Sequence, residues 1–118
     1  MKEVSKVFSY NGNEYRAVFN LNSMEAIQAE YGTIANWADK TDGKTQEVDI
    51  KALIFGIREM INEAIDIDNE TRDEKLPYLT HKQVGRIVSE IGFSKAGETM
   101  RDLVVDSVGD DSEESKNE

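Results

Sequence analysis

The acid-rich stretch Asp66-Ile67-Asp68-Asn69-Glu70 begins with the alternating oxygen ligands of a calcium-binding loop. Such a loop needs glycine at its sixth position for a sharp turn and glutamate at its twelfth as a bidentate ligand. Here those positions are Thr71 and Pro77, so both defining features are missing and the stretch reads as a solvated linker. His81 is the single histidine, and cysteine is absent, which removes thiolate zinc sites, disulfides and cysteine nucleophiles together. No Gly-x-Ser-x-Gly serine is present for His81 to serve as a base, so it reads as an exposed residue in the first turn of a helix. The pairs Asp110/Asp111 and Glu113/Glu114 stand in a segment with nothing to fix their geometry, whereas acid–base catalysis requires positioned groups. The glycines are scattered at turns and helix ends and form no phosphate cradle. No catalytic, cofactor-binding or metal-ligating residue is assigned, and the chain is expected not to be an enzyme.

The side chains left over are those that hold other proteins. Phe8, Tyr10, Tyr15, Phe19, Tyr31 and Phe55 read as core, while Trp37, on a short helix beside a polar loop, is a candidate anchor. Leu103-Val104-Val105 is apolar on more than one side of its helix, which suggests cover by another subunit. With Phe93 and Met100 these residues make the expected interaction set: Trp37, Phe93, Met100, Leu103, Val104 and Val105.

Charge narrows the partners. A net charge of −10 over 118 residues repels phosphate backbones and anionic membranes, so neither nucleic acid nor membrane is expected. Such a field favours solubility and basic or neutral partners. No segment approaches the ~20 apolar residues of a membrane span, and Met1-Lys2-Glu3-Val4-Ser5 does not open a signal peptide. Lack of cysteine fits a reducing cytoplasm.

The elements that carry these residues are expected to be α+β and mainly α: a hairpin over 3–20 packed on four to five helices, in one domain over 1–108. Val4–Ser9 and Glu14–Phe19 flank Asn11-Gly12, a strong hairpin signal, although Val7-Phe8 and Val18-Phe19 leave the buried face undecided. Helices are expected at about 23–31, capped by Asn22 or Ser23 and stopped by Gly32, and at about 33–39. A third, over 50–66 with Asp49 as cap, carries Ile50, Leu53, Ile54, Ile57, Met60, Ile61, Ala64 and Ile65 on one stripe. Gly56 inside it costs about 1 kcal/mol relative to alanine and marks close approach by another element. After a charged loop over 66–79, Thr80 and Gln83 form a capping box for a helix over 81–91 ended by Gly92. Ser94 opens a fifth, over 95–108, with Ala96, Met100, Leu103, Val104 and Val108 inward. Residues 109–118 hold five acids, one base and no apolar side chain, and are expected to be a disordered acidic tail.

The hairpin followed by Phe19-Asn20-Leu21-Asn22-Ser23 and a helix ending Tyr31-Gly32 resembles small tail-assembly chaperones of long-tailed phages and prophages. Asp49-Ile50-Lys51-Ala52-Leu53-Ile54-Phe55-Gly56 and Leu79-Thr80-His81-Lys82-Gln83-Val84-Gly85 are similar to the capped, apolar openings of that family's two main helices, and the likeness covers roughly residues 4–92. The resemblance implies a non-enzymatic cytoplasmic protein that binds and solubilises the tape-measure protein during tail assembly and is absent from the finished virion. It also implies self-association and, in many members, a longer frameshifted form. Ser115-Lys116-Asn117 permits a slippery A-AAA-AAC heptamer across its last two codons. The alternative is an acidic regulator that occupies a DNA-binding surface by mimicry, which would require carboxylates arrayed on one rigid face.

Overall fold

The computed structural model describes Met1 and residues 3–117, the side chains from residue 110 onward excepted. A two-stranded antiparallel hairpin, β1 (Ser5–Tyr10) and β2 (Asn13–Val18), precedes five helices: α1 (Leu21–Tyr31), α2 (Ile34–Thr41), α3 (Ile50–Asn69), α4 (His81–Ile91) and α5 (Phe93–Asn117). The α+β, mainly helical expectation therefore describes the molecule. The expected disordered tail lies, from residue 110, outside the described side chains.

Asn11 and Gly12 both take positive φ, 52° and 79°, which gives the tight two-residue turn that matches strand twist. Tyr10 therefore pairs with Asn13, Phe8 with Tyr15 and Lys6 with Ala17. Burial settles the face: Phe8 and Ala17 are buried while Val7 stays exposed. The paired face lies on the helices, as a lone hairpin requires for stability.

α1 starts two residues earlier than expected, because Asn20, not Asn22 or Ser23, is its cap. The Asn20 side chain accepts from the backbone N–H groups of Asn22 and Ser23, and Ser23 returns the box to the Asn20 backbone. Asn20 also donates to Glu63 of α3 at 2.8 Å, so one residue ends the strand region, starts α1 and ties it to α3. The Thr33 side chain caps α2 by accepting from the Asn36 N–H, and α2 reaches Thr41 rather than stopping at residue 39.

α3 is the axis of the fold. Its Leu53, Ile57, Met60, Ile61 and Ala64 are all buried, as its stripe predicts. It runs three residues past its expected end, so Asp66–Asn69 are helical and the calcium-loop arrangement is excluded by backbone conformation. Arg16 of β2 reaches this last turn, donating to Asp68 at 2.7 Å. Beyond it, two asparagines hold the extended chain that leads to α4. Asn69 donates to the Leu76 carbonyl and accepts from the Leu76 N–H, at 3.0 and 2.8 Å. Asn62 does the same for Leu79, at 3.1 and 2.9 Å.

Thr80 and Gln83 form the expected capping box of α4. Gly92 ends α4 with φ 97°, and its carbonyl accepts from the Ala96 N–H at 2.9 Å, so α5 begins at Phe93 and not after Ser94. α5 buries Ala96, Met100 and Leu103 in the core formed by Phe8, Phe19, Ile27, Trp37, α3 and α4. Arg101 of α5 donates to the Thr41 carbonyl at 3.2 Å, fixing the end of α2.

Candidate functional site

Three of the six residues expected at an interface are core. Trp37 is buried, with its indole N–H donating to the Ala52 carbonyl at 3.0 Å and its ring laid against Gly56. The signal for this was Gly56, whose missing side chain makes room for the ring. Met100 and Leu103 are buried completely, so neither offers surface to a partner. Val104 is half-buried against the core. Phe93 and Val105 alone match the expectation of exposure, at 50% and 62%.

Phe93 belongs to a larger feature. Between the N-terminal half of α3 and the C-terminal half of α4 lies a groove of about 330 Å³ lined by Ile50, Ile54, Gly85, Val88, Ser89, Gly92 and Phe93. The cause is local. Gly85 has no side chain to meet Ile54, and a Cβ built there would lie 3.6 Å from the Ile54 methyl. Ile50, the first residue of the α3 stripe, remains 45% exposed, whereas Leu53, Ile57, Met60, Ile61 and Ala64 further along are buried. Burial of exposed apolar area is worth ~25 cal/mol per Å², and here it is Ile50 and Phe93, about half exposed, that leave such area open, while Val88 is buried.

Sequence reasoning named Ile50 and Ile54 only as core stripe and Gly92 only as a helix stop, and gave Gly85 no role in packing. A glycine beside the apolar stripe of α4, facing the first turns of α3, was the available signal.

A second groove, about 450 Å³, lies between β2, α3 and the Leu76–Leu79 segment, lined in part by Ile61, Ile65, Leu76, Pro77 and Leu79. Its mouth carries Arg16 already engaged by Asp68. A third depression is polar. Glu59, Asn62, Glu63, Asp66 and Tyr78 line it with Asn22 and Ser23. Its groups satisfy one another: Glu63 accepts from Asn20 and Asn22, and Asp66 accepts from the Tyr78 hydroxyl. That hydrogen bond and the Asp66 charge raise the Tyr78 pKa above its ordinary value. Tyr31 is also raised, first by burial and then by the charges of Asp49 and Glu30. Its ring meets Phe55 edge-on at 5.5 Å, and Arg58 covers the same Phe55 ring at 5.2 Å.

His81 stands half-buried at the first position of α4. Among the described residues, no group of three or more histidines, aspartates or glutamates is arranged to hold a metal ion. No helix among them is long and apolar enough to cross a membrane. Comparison of the chain with protein-family models, with curated proteins and with solved structures finds no match.

Proposed function

We propose that this chain is a non-enzymatic chaperone of phage tail assembly, which binds the tape-measure protein in the bacterial cytoplasm and keeps it soluble until the tail tube forms around it. The observation that carries the reading is the open apolar groove between α3 and α4 on a chain of net charge −10. A chaperone of long amphipathic helices needs an apolar seat that accepts them reversibly and a charged exterior that keeps the complex in solution. The likeness of residues 4–92 to that family's pattern of hairpin and capped helices points the same way. Self-association and a longer frameshifted form belong to the same reading.

The rival reading, DNA mimicry, asks for free carboxylates on a rigid face. Glu63 and Asp66 are on a rigid face, but one oxygen of each is engaged within the chain, Glu63 Oε2 by Asn20 and Asn22 and Asp66 Oδ1 by the Tyr78 hydroxyl. That engagement weighs against mimicry at this face.

The test is co-expression with the tape-measure protein encoded nearby. The intact chain is expected to hold that protein soluble and to co-purify with it. Ile50→Asp combined with Phe93→Asp, both at exposed positions, is expected to abolish capture while leaving the thermal transition unchanged. A chain that neither solubilises nor co-purifies with the tape-measure protein refutes the proposal.

A further inference from the structure

The groove's lining is uncharged, and the helical positions that flank it carry charge opposite in sign to that of the molecule. α3 and α4 run antiparallel, since Asn62 holds Leu79 just before α4 while Ile54 meets Gly85 a turn inside it. On α3, the solvent side of the Ile50–Ile54 wall carries Lys51 and then, one turn past Ile54, Arg58. On α4, Lys82 stands one turn before Gly85 on the same side as Ser89, with Arg86 following further round. The acids of these helix halves, Glu59 and Glu90, fall at helical positions turned away from the groove. Glu47 and Asp49 precede α3, and the Asp49 side chain accepts from the Ala52 N–H as its cap. Arg58 is partnered by Glu59 and stacked on Phe55. Lys51 and Lys82 are exposed and make no ion pair or hydrogen bond among the described residues.

An apolar floor between two free ammonium groups selects its occupant. We infer that the groove seats an amphipathic helix whose apolar stripe is flanked by carboxylates, one row facing Lys51 and the other Lys82. This rests on the chaperone reading and names the chemistry of the partner segment. The tail of this chain does not meet the description, because residues 109–118 supply acids but no apolar side chain for the floor. Whole-molecule charge argues for the opposite occupant, a lysine-flanked helix drawn by the net −10, so the two expectations separate cleanly.

The experiment uses the full chain and two synthetic helical peptides with one leucine stripe, flanked by glutamate in one and by lysine in the other. Labelled-peptide anisotropy is expected to give the glutamate-flanked peptide about tenfold tighter binding, from two rim charges switched between attraction and repulsion. The preference should shrink at 1 M salt, where the Debye length falls to ~3 Å. Lys51→Glu with Lys82→Glu should invert it, and Gly85→Met, which fills the groove, should lose both peptides with the fold intact by circular dichroism. Equal or tighter binding of the lysine-flanked peptide by the unaltered chain overturns the charge assignment and leaves the chaperone reading standing. Binding of neither peptide, or binding that Gly85→Met does not affect, overturns the groove as the helix seat. Capture of the tape-measure protein would then decide the chaperone reading by itself.

Discussion

Gly56→Ala offers the sharpest test of how this core is put together. In an exposed helix interior the change stabilises by about 1 kcal/mol, because alanine restricts the unfolded chain and favours helix. Here the new Cβ would sit 2.4 Å from Cζ2, 2.9 Å from Cε2 and 3.0 Å from Nε1 of Trp37. Real contacts at such distances do not persist, so the indole or α3 must move. Overpacking of this kind costs roughly 1–3 kcal/mol. Moving the ring also threatens the 3.0 Å bond from its N–H to the Ala52 carbonyl, and stranding a buried donor costs about 1–3 kcal/mol more. Against the gain in propensity, the net loss is about 2–3 kcal/mol. For a chain of this size that corresponds to a fall in Tm of roughly 8–15 °C. Urea unfolding followed by the fluorescence of the single tryptophan measures it directly. Trp37→Leu provides the control: in that background the alanine has room, and Gly56→Ala should recover much of its helix-propensity benefit, giving a large coupling energy in the double-mutant cycle. A Gly56→Ala variant as stable as the parent, or a cycle with no coupling, would refute the claim that glycine is there to seat the ring.

Gly85→Ala should behave in the opposite sense: its Cβ meets Ile54 at an ordinary 3.6 Å, so the variant should gain about 1 kcal/mol in thermal or urea unfolding. Asn20→Ala removes the α1 cap together with the bond to Glu63, and should cost about 1–2 kcal/mol, with early loss of amide protection in the first turn of α1. Tyr31 titrates above its ordinary 10.0 in the folded protein, so the folded state holds this proton more tightly than the unfolded one. The resulting stability is complete below pH 10 and is lost as pH rises through the raised value; Tyr31→Phe should flatten this alkaline decline in a pH series of urea midpoints.

The sequence carried the fold where one residue type has one structural use. Asn11-Gly12 announced the turn, Thr80 with Gln83 announced α4, and an eight-residue apolar stripe announced α3. It was ambiguous where several residues compete for one role. Asn20, Asn22 and Ser23 all cap helices, and the choice among them depends on where β2 ends and on Glu63, which is 43 residues away. The end of α3 was hidden because Asp66–Asn69 contains no breaker, and its last turn is held by Arg16 from the hairpin. Trp37 looked like surface because its helix is short. Its cover comes from α3, through a glycine whose partner no local pattern identifies. The groove was the least legible feature, since it arises from what two packed helices fail to fill.

The asparagines that hold the segment before α4 form a vernier between two kinds of backbone. From Asn62 to Asn69 a helix advances seven steps, about 10.5 Å at 1.5 Å each. From Leu76 to Leu79 an extended chain advances three steps, about 10 Å at 3.3 Å each. The two rulers agree at both marks, so each amide side chain meets both polar groups of one leucine backbone, as a neighbouring strand would. The length of chain between those marks is therefore set by helix pitch. One residue inserted or deleted at Pro77-Tyr78 would put a mark out of step and release either Leu76 or Leu79. Thr71–Lys75, outside the marks, carries no such restriction on its length, and changes of chain length in this region should be tolerated there and not three residues later.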